Sequence, residues 1–214
     1  MKNEPSQQQN GQSMPYLIPD ADFNAKLKIH SKNIEHTKEF LEQGVQHFEL
    51  PQYNIPVGYR FVKSLKRNQY RLITTTVPFE TVYLVEVIFR KDIVYTKTIC
   101  TQIKVWRTVA AEHSTVTRYL PRVFFNYLLE NYNIVVSDEE QTGAGKRFWE
   151  TMIDWAFKAN LYIYISDGTE EERPLIKLNN TDELYEKWED FCWGKDRDIH
   201  THRLLVISKE PLSQ

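Results

Sequence analysis

The sequence predicts an α+β domain in which a mostly antiparallel central sheet is flanked by helices. Two kinds of segment support this prediction. Runs rich in β-branched residues occur at strand length in Thr81–Arg90 and Arg203–Ser208, and apolar residues recur at helical spacing in Leu120–Tyr132 and Thr181–Gly194. The composition, with 41% apolar and 26% charged residues, is typical of a globular protein with a hydrophobic core.

In the N-terminal half, one helix and three strands are expected. Ser31 can cap a helix with an apolar face. Three β-rich runs follow at Tyr70–Thr76, Thr81–Arg90 and Asp92–Trp106. The second run is apolar on both faces, which predicts an interior strand, and the polar residues 90–92 are expected to form the turn of an antiparallel hairpin.

The C-terminal half contains a strand–turn–helix–strand unit at residues 133–166. Its predicted parts are the strand Asn133–Ser137, the acidic turn Asp138–Gly145, the helix Lys146–Lys158 and the strand Leu161–Ser166. Further helices are expected from Leu120, where Pro121 suits a first turn, and from Thr181 as a cap.

Composition also bounds the domains and the compartment. Residues 1–15 are rich in Gln, Asn, Ser, Pro and Gly and are predicted to be a disordered tail. Residues 16–214 are then one α+β domain, with a possible N-terminal subregion at 16–110 and a motif-bearing region at 119–210. No run approaches the ~20 apolar residues of a membrane helix, and no signal peptide is visible, so we expect a cytoplasmic protein without membrane contact. We expect Cys100 and Cys192 to be reduced thiols in the core.

Two glycines mark the most informative stretch. Gly143 and Gly145 stand where a helix begins, and the amides of a first helical turn can donate to an anion such as a phosphate. The P-loop pattern is not met, because Lys146 is followed by Arg147 in place of Ser or Thr. The alternative is a turn and helix start that bind no ligand.

One carboxylate interrupts the most apolar strand. Glu86 lies within Thr81–Arg90, and a buried carboxylate can act as a general base. The alternative is that Glu86 pairs with a basic side chain or reaches a sheet edge.

The glycine stretch resembles a known cofactor motif. The order Val136 to Trp149, followed by an amphipathic helix and a strand, resembles the acyl-coenzyme A motif of the GNAT family of N-acetyltransferases. The segment Asp182–Phe191 resembles that family's late helix. The two stretches cover roughly the last 80 residues. The resemblance implies acetyl-CoA or another acyl-CoA as the acyl donor and an amine as the acceptor.

The resemblance also implies roles for individual residues. Gly143, Gly145 and Lys146 would contact the cofactor pyrophosphate. The first motif position falls on Glu140 or, if one residue is missing, on Gln141. The strand edge at Ile134–Val136, with Val135 and Val136, would pair with the pantetheine arm. Tyr185 would protonate the departing thiolate, and Glu86 is the candidate base for the amine.

A second resemblance concerns origin. The residues from Val136 to Thr142, with Gly145 and the following Arg-Phe-Trp, are similar to uncharacterised reading frames of bacteriophages and prophages. The alternative function is therefore a non-enzymatic phage accessory protein that binds a host protein. The 28 aromatic residues (11 Phe, 12 Tyr and 5 Trp) are consistent with an interface as well as with a core.

Two further patterns are weaker. The segment Tyr59–Arg71 interleaves basic and aromatic residues and could lie along a nucleic-acid backbone, although a solvated basic face explains it as well. The net charge of −2 gives nucleic acid no general attraction, so we expect no such partner. Asp196, Asp198, His200 and His202 alternate along the chain, but ligands in one line do not surround an ion, so no metal is predicted.

Overall fold

The computed structural model describes residues 16–18, 25–90, 99–136, 140–167, 174–193 and 203–212. The strands within these ranges are β1 Tyr16–Ile18, β2 Val45–His47, β3 Tyr59–Ser64, β4 Gln69–Thr74, β5 Thr81–Arg90, β6 Ile99–Arg107, β7 Asn133–Val136, β8 Glu140–Thr142, β9 Tyr162–Asp167, β10 Leu175–Leu178 and β11 Arg203–Ser208. The α-helices before residue 181 are α1 Ala25–Lys28, α2 His30–Glu42, α3 Ser114–Thr117, α4 Leu120–Leu129 and α5 Gly143–Lys158. A C-terminal helix, residues 181–193, combines α6 Thr181–Glu183, a π-helical turn Leu184–Trp188 and α7 Glu189–Trp193.

Nine of these strands form one sheet in the order β10-β9-β11-β7-β6-β5-β4-β3-β2, and β1 pairs with β8 in a separate two-stranded sheet. Neighbours in the large sheet are antiparallel, except for β6 and β7, which run parallel. Helix α5 connects β7 to β9, and β11 lies between those two strands. The predicted α+β fold with a mostly antiparallel sheet is confirmed.

The main core lies between one face of the sheet and three helices. Helices α4 and α5 and the C-terminal helix contribute Phe124, Trp149 and Phe191 to this core. Strand β5 contributes Tyr83 and Val85, which are completely buried. Every second side chain of the central strands points to this face of the sheet. The apolar sides of the three helices cover these side chains.

The opposite face of the sheet is covered by α1 and α2. Leu27 of α1 packs with Leu84 and Trp106, and Phe40 of α2 packs in a separate cluster with Val62. Because Leu84 stands between two residues that face the main core, β5 is apolar on both sides. The prediction of an interior strand at residues 81–90 is confirmed, and its bounds are those expected from the sequence.

Helix α2 begins one residue earlier than the sequence indicates. Ser31 lies inside the helix, and Ile29 at the cap position makes no capping bond with its side chain. The helix is held instead by its contact with β5. The Asn33 side chain donates to the carbonyl oxygen of Thr81 at 2.9 Å and accepts from the Thr81 amide at 2.9 Å. Tertiary hydrogen bonds thus replace the predicted cap.

The glycine stretch also differs from the predicted turn. Helix α5 begins at Gly143, three residues before Lys146, and Glu140–Thr142 forms strand β8 against β1. A two-stranded parallel contact with a segment about 120 residues away in sequence cannot be derived from local periodicity. Only the placement of the helix start close to the two glycines is confirmed.

Several other local features were not predicted, among them β1, β3, α1 and α3. Strands β2 and β10, at the two edges of the large sheet, are only 3 and 4 residues long and depend on pairing with a longer neighbour. The C-terminal helix is capped by Asn180, whose side-chain oxygen accepts from the Glu183 amide at 2.8 Å, so Thr181 is its first residue and not its cap.

Cys192 is a completely buried thiol outside any disulfide, as predicted, whereas the Cys100 side chain lies outside the described part. The predicted tail at residues 1–15 is also outside it. Among the helices of the described ranges, none has the length and apolar character to cross a membrane.

Candidate active site

Strand β6 has an edge that its neighbour leaves open. Its pairing with β7 covers only Ile99–Thr101, and β6 continues to Arg107. On its other side β6 pairs with β5 as far as Arg107. Among the described strands, none pairs with the β7-facing side of residues 102–107, and residues 137–139, which follow β7, lie outside the described part. Within the described residues, this side of β6 therefore presents backbone groups that no strand occupies.

A bulge marks the place where β6 leaves β7. On β5, Glu86 is opposite Lys104 but the next residue, Val87, is opposite Gln102, so Ile103 is the extra residue. Such a bulge bends the strand and increases its twist. The parallel pairing stops at Thr101, two residues before the bulge. The bend therefore coincides with the opening between the two strands.

The hydrogen-bond direction along β6 identifies which backbone groups face the opening. Thr108 donates its amide to the carbonyl oxygen of Val82 at 3.0 Å, so the backbone of residue 108 faces β5. In an antiparallel pair, successive residues alternate between the two edges of the strand. The amides and carbonyls of Val105 and Arg107 therefore face the opening toward β7.

The predicted pantetheine edge of β7 is largely occupied. Val135 has a partner on each side, Thr101 on β6 and Val206 on β11. The pairing with β6 does not reach Val136, which pairs only with Leu205 among the described strands. Among the described strands, the unpaired edge between β6 and β7 therefore consists of residues 102–107 of β6 and, on β7, of Val136 alone.

At the start of α5, Gly143 has few close neighbours among the described residues. There, a Cβ atom added at Gly143 would meet the Nη1 atom of Arg147 at an ordinary contact distance of 3.7 Å. Gly145 lies in the same first turn. Gln141 is in β8, opposite Leu17, and its side chain is outside the described part. The two glycines thus lie together at the N-terminus of a 16-residue helix.

Lys146 is engaged by carboxylates. Its ammonium lies 3.1 Å from the Glu189 carboxylate and 3.6 Å from that of Glu150, and it stands 5.9 Å from the ring centroid of Trp193. These contacts join the first turn of α5 to the C-terminal helix. A phosphate at this place would have to compete with two carboxylates for the same ammonium group.

Tyr185 belongs to the same charged cluster. It lies in the π-helical turn of the C-terminal helix and is 40% exposed. Burial raises the pKa of its phenol, Glu150 and Glu189 raise this pKa further, and Lys146 opposes them. The structure therefore brings two of the predicted site residues, Lys146 and Tyr185, into one electrostatic environment.

Glu86 is on the other side of the sheet. Glu86 is two residues after Leu84 on β5, so both side chains are on the face of the sheet that α1 and α2 cover. The C-terminal helix, which carries Tyr185, packs on the opposite face, against the main core. Glu86 lies opposite Gln69 and acts on the nearby Arg71, whose pKa it raises against the lowering by burial and by Arg67. The sheet lies between the two predicted catalytic residues.

The basic segment does not form one nucleic-acid-binding face. Arg71 is 1% exposed, and Arg67 donates to Gln43. Lys63 stands over the ring of Tyr70, which belongs to the main core, and Arg60 stands over Phe79. Since residues 60 and 63 of one strand point to opposite faces, their charges are separated by the sheet.

A second polar cluster was not anticipated from the sequence. His113, in the turn after β6, is 2.7 Å from Glu80 through Nε2 and 2.8 Å from the Tyr59 hydroxyl through Nδ1. These residues are 33 and 54 positions apart in sequence and carry no motif. Only the order of the strands brings them to one end of the sheet.

No group of three or more His, Cys, Asp or Glu side chains within the described ranges is arranged to hold a metal ion. The alternating Asp196–His202 segment lies outside those ranges. Comparisons of this chain with protein-family models, with curated proteins and with solved structures gave no match.

Proposed function

We propose that this protein binds acyl-CoA at the opening between β6 and β7 and transfers the acyl group to an amine. The observation that carries the proposal is that no described strand pairs with the β7-facing side of β6 at residues 102–107, beside the end of a parallel neighbour. The GNAT resemblance of the glycine stretch gives the ligand class. Its second resemblance, to phage reading frames, leads us to propose the cytoplasm of a phage host as the place of action.

The open edge suits the pantetheine arm because that arm is extended and contains amide groups. An extended ligand can pair with a free strand edge through main-chain hydrogen bonds, as an added strand does. Val105 and Arg107 offer such groups on the open side of β6. Backbone pairing fixes the arm in one register and thereby the position of the thioester.

The start of α5 suits the pyrophosphate. Amides and the macrodipole of a helix N-terminus favour anions, and Gly143 has no side chain that would keep phosphate oxygens from its backbone. Lys146 contributes its charge only when it leaves Glu189 and Glu150. The backbone, and not this lysine, is therefore the main pyrophosphate ligand in our proposal.

Acyl transfer needs the amine to attack the thioester carbonyl and the sulfur to leave with a proton. Tyr185 is the proposed donor of that proton. Its raised pKa keeps the phenol protonated at neutral pH but makes it a weaker acid than an ordinary tyrosine. Glu86 is the proposed base only if the amine approaches from the face covered by α1 and α2.

The direct test is calorimetric titration with acetyl-CoA of the native protein and of two variants at one position. Gly143→Ala fits the available space and is expected to bind, whereas Gly143→Glu places a carboxylate beside the pyrophosphate and is expected to abolish binding. No heat and no thermal stabilisation of the native protein at millimolar acetyl-CoA would refute the proposal, because a ligand that binds the folded state must stabilise it.

A second candidate function, binding of a host protein without catalysis, is supported by three exposed side chains. Val57, Val77 and Val109 are largely or fully exposed. They lie in the loop before β3, the loop between β4 and β5, and the loop after β6, which are at the same end of the sheet. A contiguous apolar patch on such loops would be typical of an interaction site.

This candidate is tested by comparing the native protein with a Val57→Asp, Val77→Asp, Val109→Asp variant. A specific host partner should be retained by the native protein and by Gly143→Glu, but lost by the valine variant. Equal retention by all three proteins would argue against the loop surface.

A further inference from the structure

The cluster of Tyr59, His113 and Glu80 has the connectivity of a nucleophile, a base and a group that orients the base. The imidazole of His113 joins the Tyr59 hydroxyl at 2.8 Å to the Glu80 carboxylate at 2.7 Å. The second oxygen of Glu80 lies 3.2 Å from Nδ1 of His30. The two hydrogen bonds of His113 are both within the usual distance range for protein hydrogen bonds.

The carboxylate decides the direction of these bonds. An ionised carboxylate only accepts, so Nε2 of His113 carries a hydrogen and donates it to Glu80. In the neutral imidazole, Nδ1 is then a lone pair, which accepts from the Tyr59 hydroxyl. Glu80 thus selects the tautomer in which His113 can take the phenol proton.

The backbone holds the cluster rigidly. Glu80 exchanges two bonds with Thr74, through its amide to the threonine hydroxyl at 3.0 Å and through its carbonyl from the threonine amide at 3.1 Å. His113 has a side chain only 8% exposed, packed edge-on against the Tyr59 ring. Such fixed geometry is expected of a site that positions a proton transfer.

Tyr53 provides a contrast. It is also half-buried and lies near Tyr59, but its hydroxyl donates to the carbonyl oxygen of Val116 at 2.8 Å. A carbonyl cannot remove a proton, so this phenol is hydrogen-bonded without being activated. The two tyrosines therefore differ in the partner of the hydroxyl, which is a base for Tyr59 and a carbonyl for Tyr53.

We propose that the Tyr59 hydroxyl is a nucleophile that accepts an acyl group, with His113 as its general base and Glu80 as the residue that positions His113. Tyr59 Oη attacks the carbonyl carbon of an ester or thioester while its proton passes to Nδ1 of His113. The bond to the leaving alcohol or thiol then breaks, and the leaving group takes the proton from the imidazolium. The product is an O-acyl tyrosine, and Glu80 stabilises the imidazolium formed on the way.

The surroundings select the substrate class. Burial, Glu80 and Glu112 raise the pKa of Tyr59, so the phenol keeps its proton until His113 removes it. The same carboxylates repel anionic acyl donors and favour neutral or cationic ones. The nucleophile lies away from the proposed acyl-CoA site, because two strands, β4 and β5, stand between β3 with Tyr59 and the β7-facing edge of β6.

The test uses p-nitrophenyl acetate, a neutral activated ester, on the full-length protein, with peptide mapping to follow acetylation of each tyrosine over time. Tyr53 and the exposed Tyr119 are internal controls in the same folded molecule. We expect Tyr59 to be acetylated at least ~10-fold faster than either control, since general-base assistance is commonly worth more than that. The Glu80→Gln variant, which keeps an oxygen acceptor for Nε2, should reduce the Tyr59 rate and leave the controls unchanged.

The pH dependence separates activation from simple exposure. If His113 removes the proton, the Tyr59 rate should level off well below the pH at which the phenol itself ionises, whereas the rate of an unassisted phenol should keep rising up to about pH 10. A Tyr59 rate no higher than that of Tyr53, or one that Glu80→Gln leaves unchanged, would overturn the proposal. The comparison with Tyr53 needs no variant and holds even if Glu80→Gln unfolds.

Discussion

The guanidinium carbon of Arg71 lies 3.9 Å from the ring centroid of Phe40, so a buried cation–π contact fastens helix α2 to strand β4. Arg71 is 1% exposed, and Gln69 accepts two of its hydrogen bonds, at 2.9 and 2.7 Å. Burial and Arg67 lower its pKa to about 9, which leaves it charged at neutral pH. Burying a charge costs free energy, and the hydrogen bonds and the ring contact of Arg71 offset this cost.

We expect strong energetic coupling between Phe40 and Arg71. A double-mutant cycle with Phe40→Leu and Arg71→Met, measured by urea unfolding, should give about 2 kcal/mol, because the pair is desolvated. The control cycle uses the exposed pair Arg118 and Tyr119, 5.4 Å apart, where Arg118→Met and Tyr119→Leu should couple by at most about 1 kcal/mol. Equal coupling in the two cycles would contradict this view of the α2 contact.

His36 should make stability depend on pH. Burial and then Arg71 lower its pKa below the usual value of 6.5, so the unfolded chain binds the proton more readily than the folded protein. The contribution of His36 is therefore complete above pH 6.5 and is lost as the pH falls below it. Thermal unfolding between pH 7.5 and 5 should show a smaller loss for His36→Gln than for the native protein. Parallel curves for the two proteins would exclude this origin.

Release of Lys146 should strengthen acyl-CoA binding. In Glu189→Gln the carboxylate 3.1 Å from the ammonium is removed, and the lysine can turn to the pyrophosphate. The pair is partly exposed, so we expect a gain of only ~2- to 5-fold in affinity, decreasing with added salt. Glu130→Gln removes the same charge at the end of α4, before β7, and should change affinity little. A weaker complex in Glu189→Gln would place the pyrophosphate elsewhere.

The open edge of β6 can be probed by removing single amides. Arg107→Pro deletes an N–H that faces the opening and should weaken acetyl-CoA binding by ~3- to 10-fold, the usual value of one hydrogen bond. Arg107→Ala controls for the lost side chain. Thr108→Pro deletes the amide bonded to Val82 and should lower stability instead. If Arg107→Pro and Arg107→Ala bind equally, the ligand does not use this edge.

Local sequence patterns correctly predicted the strands with long β-branched runs and the helix whose start is marked by a proline. The bounds of β5 and β11 follow from β-branched runs, and the start of α4 follows from Pro121 in the first turn. The burial of Cys192 follows from its place on an apolar helix face. These features depend on residues within a few positions of each other, which is why they can be predicted from the sequence.

The candidate sites required the tertiary structure. The start of α5 at two glycines was close to the prediction, but the engagement of Lys146 by Glu189 depends on how two helices pack. The unpaired part of β6 depends on where its pairing with β7 stops among the described residues. The periodicity of side chains along one strand does not specify which residues of a distant strand pair with it.

What the sequence by itself determined is therefore the α+β class, most of the helices and strands, and the position of one glycine-rich helix start. What only the tertiary structure decided is which polar residues meet. Tyr59, Glu80 and His113 come from three separate segments, and the antiparallel order of β3, β4, β5 and β6 brings their ends together. Hydrogen bonds act over about 3 Å, so distance in space and not distance in sequence decides which groups interact.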